Sequence, residues 1–193
     1  MSRKPIVLIA RHRRYIGKYF DDEDYAKSSK REDDVAKELT ELSESELDVN
    51  MVGYGAGIPK KFTKPKPHGA ETPLDLEVKK SERNIAVVEV MGSDAYTFNT
   101  SGFFPVAWDK VERAKKSEVP AFFVFVLDLE EKPNKWWIDA NRCRKYELAR
   151  NFRTKYDLQD IYKTNQYHWH RGLKTLVAKL IELAESSKQT TLL

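Results

Sequence analysis

Cysteine is almost absent: Cys143 is the only one in 193 residues. A single thiol cannot close an internal disulfide, so the expected setting is reducing and cytoplasmic. No apolar run approaches the length of a membrane span. Ile6–Ala10 is far too short for the core of a signal peptide. There is no Walker loop, no Rossmann glycine pattern and no nucleophile elbow. The histidines do not stand at zinc-ligand spacing: His168 and His170 flank Trp169, and His12 and His68 are isolated. No internal repeat is visible. These absences point away from stapled secreted scaffolds, membrane-spanning proteins, common nucleotide-binding loops and zinc modules.

What is present suits one α/β domain. Forty per cent of the residues are hydrophobic, enough for a full core, and a third are charged. The net charge of +4 is slight, so its distribution says more than its size. Arg3, Lys4, Arg11, Arg13, Arg14 and Lys18 all precede the first acid, Asp21. Lys60, Lys61, Lys64 and Lys66 form an acid-free run inside Gly53–Thr72, a long stretch with four Gly and three Pro that reads as irregular loop. Either run alone suits a solvated face. Two basic arms beside an acidic site suit a phosphate backbone.

Taken in order, Pro5–Ala10 reads as a short buried strand and Asp21–Asp24 as loop. Ser28-Ser29, with Glu32 three residues on, makes a capping box for a helix from Lys30 to about Leu42. Its apolar stripe is Val35, Ala36, Leu39 and Leu42. Leu47–Tyr54 reads as the first core strand and Pro105–Ser117 as a helix with Lys110, Arg113, Lys115 and Lys116 on its polar face. Ala121–Leu129 is apolar on both faces until Asp128, the mark of a central strand. Trp136–Ile138 begins another strand, and the Trp136-Trp137 pair suits core packing or base stacking. Lys145–Tyr156 reads as a helix. Leu173–Ser186 is an amphipathic helix.

The chemistry gathers at Leu74–Ser93, which predicts a β-hairpin. Strands Leu74–Lys79 and Ile85–Met91 flank a turn at Lys80–Asn84. With Asp75 opposite Glu89, two carboxylates meet across the ladder, roughly 5 Å apart at Cβ. Like charges there repel unless a cation lies between them, and a divalent metal held by oxygen ligands supplies one. Glu89 also sits inside the apolar run IAVVEVM, where a carboxylate needs a reason.

Pro73-Leu74-Asp75 and Glu89-Val90-Met91 resemble the motif of the PD-(D/E)XK nucleases, the restriction-endonuclease-like superfamily. The element order of helix, strand, hairpin, helix and strand matches that superfamily's αβββαβ core over about 30–129. The resemblance implies a single domain with a central mixed sheet flanked by helices. An N-terminal strand and basic arm (1–27) and a C-terminal strand and helix (130–193) decorate it. It further implies Mg²⁺ or Mn²⁺ held by Asp75, Glu89 and the Val90 carbonyl, with Glu32 (Glu38 in reserve) added from the first helix. The activity implied is hydrolysis of DNA phosphodiester bonds. Ser28-Ser29-Lys30-Arg31-Glu32 is similar to the start of small archaeal Holliday-junction-resolvase-like and archaeal-virus nucleases. Those relatives imply a junction-like substrate and a homodimer, for which the last helix offers an interface. Arg11, Arg13, Arg14, Lys60, Lys61, Lys64 and Lys66 are the expected DNA contacts.

The sequence departs from the motif at Met91, which stands where the superfamily has Lys. A thioether brings neither charge nor proton. Lys110, Lys115 or Lys30 supplies the cation from elsewhere, or the metal suffices alone, or the chain is a DNA-binding module that has lost hydrolysis. Lys79, four residues along the strand from Asp75, is roughly 13 Å away. A rival register uses Glu77-Val78-Lys79 with Asp48, which restores Lys but displaces the hairpin by one place.

Overall fold

Ala121–Leu127 contains no polar side chain, and every residue in it is at most 5% exposed. In the computed structural model this run is the central strand of the large sheet. Residues 22–52, 74–94, 102–128, 134–153 and 158–189 are described. The strand expected at Pro5–Ala10 and both basic runs (Arg11, Arg13, Arg14; Lys60, Lys61, Lys64, Lys66) lie outside them.

In chain order the elements are α1 (Asp22–Leu42), β1 (Asp48–Met51), β2 (Leu76–Lys80), β3 (Arg83–Asp94), β4 (Phe104–Ala107), α2 (Trp108–Ala114) and β5 (Ala121–Asp128). There follow β6 (Asn134–Asp139), α3 (Ala140–Cys143), β7 (Leu148–Arg153), β8 (Leu158–Thr164), a 3-10 turn (Gln166–His168), β9 (His170–Arg171) and α4 (Lys174–Gln189). A six-stranded sheet runs β1-β2-β3-β5-β6-β9, and a three-stranded sheet runs β4-β8-β7. The β3–β5 pair is parallel and every other pair in the large sheet is antiparallel, so the sheet is mixed.

Side chains on a strand alternate faces, so β5 feeds two cores. Phe122, Val124 and Val126 pack with Val35, Ala36 and Leu39 of α1 and Leu176, Val177 and Leu180 of α4. Phe123, Phe125 and Leu127 pack with Val111 and Ala114 of α2, Cys143 of α3, and Phe104 and Tyr162 of the small sheet. Helices therefore cover one face, and short helices plus a second sheet cover the other. No helix among the described residues is long and apolar enough to cross a membrane.

Several expectations are corrected. α1 begins at Asp22, not Lys30, and runs through Ser28 and Ser29. Ser28 does not cap the helix: its hydroxyl donates to Glu32 Oε1 one turn later, at 3.3 Å. The stripe shifts to Glu32, Val35, Ala36 and Leu39, leaving Leu42 41% exposed. The first strand is short and lies on the sheet edge. Phe104–Ala107 is a strand, because Phe104 and Val106 alternate into the second core, and only Trp108–Ala114 is helical. Of the helix expected at Lys145–Tyr156, the described residues form a strand instead: Leu148–Arg153 pairs with β8. The apolar stripe of α4 is consumed by the first core, so it is not free to serve as a dimer interface.

Candidate active site at the β2–β3 hairpin

The hairpin turn is tighter than the sequence suggests. Ser81 and Glu82 both take positive φ, 52° and 64°, giving a two-residue turn of the kind that matches strand twist. A bulge then intervenes. Lys79 pairs with Asn84 but Val78 pairs with Ala86, so Ile85 has no partner. Beyond it the ladder reaches Leu76 opposite Val88. Asp75 follows just outside the strand, and its Oδ2 accepts from the Val90 backbone N–H at 2.9 Å.

Three acids converge electrostatically here. Glu89, on β3, is 2% exposed, and Glu32, on α1, is 3% exposed. Burial, then the neighbouring Glu89, pushes Asp75 up to about 6. Burial, then Asp75, pushes Glu32 up to about 7. Helix α2 supplies the countercharge. Lys110 Nζ lies 2.6 Å from Glu89 Oε1, and Arg113 reaches the same oxygen at 3.4 Å. Burial pulls the Lys110 ammonium down, but Glu89 and Asp75 push it up and prevail.

Met91 is 8% exposed and belongs to the second core. A lysine there would have to bury its ammonium among Phe and Leu side chains. Of the other lysines considered, Lys115 is engaged with Glu112 and Lys79 with Glu77 at 3.1 Å. For the rival register, Asp48 is an exposed edge residue opposite Lys79, and Glu77 is half-buried. Glu38 pairs instead with Lys135. Trp137 is core, its Nε1 donating to Thr175 Oγ1 at 2.9 Å, while Trp136 packs on Phe104.

Whether these residues fit a divalent ion turns on their oxygens. Glu32 Oε2 and Glu89 Oε2 are buried without a hydrogen-bond partner. Hard carboxylate oxygens, a backbone carbonyl nearby and two unsatisfied acceptors suit a hard cation. Among the described residues, however, no group of three or more His, Cys, Asp or Glu side chains is arranged as a metal cage. That is compatible with magnesium, which usually takes one or two carboxylates and completes its shell with water and substrate phosphate.

One supporting contact was not foreseen. Arg31 precedes Glu32 on α1, and its guanidinium forks onto Asp128 at the end of β5. It lies in the space over Gly92, where any Cβ would come within 2.4–2.6 Å of it. Arg113 was also missed as a site residue, although its spacing of three from Lys110 puts both on one helix face.

Taken together, this is a mixed α/β sheet in which two buried acids, Glu32 and Glu89, meet the half-buried Asp75, Lys110 and Arg113 where α1, β2, β3 and α2 come together. No protein-family model and no curated protein matches the chain. Among solved structures it is similar to D212, a nuclease from a fusselovirus, with a TM-score of 0.51 and 21% identity. The match covers 83% of this chain and 95% of that one, and shows that the two share a fold.

Proposed function

We propose that this protein is a metal-dependent nuclease that hydrolyses DNA phosphodiester bonds at the Asp75–Glu89 site. The observation that carries the reading is Glu89, a buried carboxylate held between Lys110 and Arg113 beside Asp75. The fold shared with a protein described as a nuclease adds support. Asp75, Glu89 and the Val90 carbonyl would hold Mg²⁺ or Mn²⁺. When bound, such an ion acidifies water and neutralises charge on the phosphate. Lys110 supplies the cation that Met91 does not, facing the charge that grows on the phosphate as the P–O bond breaks. Glu32, near half-protonated at neutrality, can take up the proton lost by the attacking water. The reading extends to a PD-(D/E)XK site, a branched, junction-like DNA, a homodimer and a cytoplasmic setting, the host's if the source is viral. The basic arms around Arg11–Arg14 and Lys60–Lys66 belong to it as DNA contacts.

A second reading has one observation in its favour: Lys110 already sits where a cation would meet Glu89. On that reading the protein binds DNA without cutting it. Branched, single-stranded and duplex DNA, each incubated with Mn²⁺, with Mg²⁺ and with EDTA, decide between the two. Cleavage should require the divalent ion and fall on the order of a thousandfold in Asp75→Asn and Glu89→Gln. Binding without cleavage selects the second reading. Neither binding nor cleavage sinks both.

A further inference from the structure

Charge is unevenly spread along this chain. Of its 34 Lys and Arg and 30 Asp and Glu, 10 and 4 lie in 134–174, so that stretch carries +6 and the rest carries −2. Of those ten cations Arg142 lines a groove, beside Asp139 of the same stretch and Lys115 and Lys179 from outside it. Two grooves, of about 490 and 360 Å³, share Phe122, Asp139 and Lys179 and so form one trough. Lys115, at the end of α2, lines one half; Arg142 and His170 line the other. His170 is exposed and stacks on Trp137, with centroids 4.4 Å apart and planes at 24°.

The acids of the trough are engaged locally. Asp139 accepts from the Asn141 backbone N–H at 2.8 Å, and Glu182 pairs with Lys179 at 2.9 Å. Arg142, Lys145 and Lys174 are exposed, and none has an acidic partner among the described residues. Free cations around an exposed ring stack are the two ingredients of single-strand recognition: charge for the phosphates and a π-face that any base can use. An acidic peptide without an aromatic side chain would satisfy the cations but leave the imidazole face uncovered, whereas every nucleotide brings a phosphate and a π-face together.

We propose that this trough is a second nucleic-acid contact surface, in which Arg142, with Lys145 one turn beyond it (its backbone N–H donates to the Arg142 carbonyl at 3.0 Å), holds backbone phosphates and His170 stacks a base. It rests on the reading above for the kind of partner, but not on cleavage. It would guide one strand along α3 and β9, away from the carboxylates at the hairpin.

The test is fluorescence anisotropy of a labelled single-stranded DNA in EDTA over a series of salt concentrations. R142Q/K145Q should weaken binding on the order of tenfold and reduce the log–log salt slope by about 1.4, near 0.7 for each lost phosphate contact. H170A should weaken binding by a similar factor with the slope unchanged. K37Q/R83Q removes equal charge elsewhere and should leave the slope alone. Wild-type affinity in the trough variants, equal loss in the control, or no binding by the wild type would each overturn the proposal. A wild type that binds but never cuts defeats the nuclease reading and leaves this one standing. Cleavage with trough variants of undiminished affinity does the reverse.

Discussion

Two lysine–glutamate pairs in this molecule have the same length. Lys110 lies 2.6 Å from Glu89 at the candidate site, and Lys80 lies 2.6 Å from Glu46 beside the hairpin turn. Their surroundings differ: the Glu89 side chain is 3% exposed and that of Glu46 is 54% exposed. Around Glu46, water and salt compete with the contact, and such pairs contribute about 0–1 kcal/mol. Around Glu89 the carboxylate has left water while the lysine stays half-buried, so desolvation offsets much of the attraction and the pair adds little net stability. Removing one member, however, strands the other. Equal distances thus describe a surface ornament in one place and a commitment in the other.

The largest expected effect breaks the buried pair. Lys110→Met should lower stability by about 3 kcal/mol, toward the low end for such losses because Arg113 still touches Glu89. Adding Glu89→Gln to it should recover much of that, since no bare charge remains. A double variant no more stable than the single one, by urea midpoint, would break the comparison.

Next comes pH. The carboxyl of Glu32 holds its proton more tightly folded than unfolded, so its contribution is fully present below about pH 4.5 and is lost as pH rises through about 7. The shift corresponds to about 3 kcal/mol. Asp75 acts in the same direction, from 3.8 toward about 6. Urea denaturation at pH 4.5 and 7.5 measures the sum. On the metal reading, Mn²⁺ should restore stability at pH 7.5 and do little at pH 4.5, where protons occupy the same oxygens. Stability that is flat across this range would mean that the cluster ionises without penalty.

Smaller still is Gly92→Ala, which should expel the Arg31 head group from its seat and cost about 1 kcal/mol of the fork to Asp128. Hydrogen exchange should show the loss in α1 rather than in β5. The smallest effect should be Lys80→Met, under about 1 kcal/mol and vanishing in 1 M salt. A Lys80 effect as large as that of Lys110 would erase the distinction drawn here.

The elements legible in the sequence were those whose apolar pattern is long and clean. β5 announced itself by seven apolar residues, and α4 by Leu173, Leu176, Val177 and Leu180. The overall α/β class followed from such elements and their order. The second sheet did not, because β4 and β7 are short. Pro105 in β4 and the polar Asn151 in β7, at a φ of 52°, hide the alternation. Asp75 and Glu89 could be singled out as candidates: Glu89 because a carboxylate inside an apolar run needs a reason, and Asp75 because the hairpin register sets it across from Glu89. Lys110 could only be offered alongside Lys115 and Lys30, since a choice among helix faces needs the helix docked. The Arg31–Gly92–Asp128 seat joins residues 61 and 36 positions apart, which no local pattern records.

The unpaired Ile85 has an arithmetic consequence. A two-residue turn feeding an unbroken ladder would set Asp75 opposite Val88 and turn it toward the face that α1 and α4 cover with apolar side chains. One extra residue reverses that parity, so that the line of Asp75 falls in step with Glu89 and every apolar partner along the hairpin stays on its own side. Turn and chemistry are thereby decoupled: the tip of the hairpin can obey strand twist, while a single inserted residue decides which way the acids look.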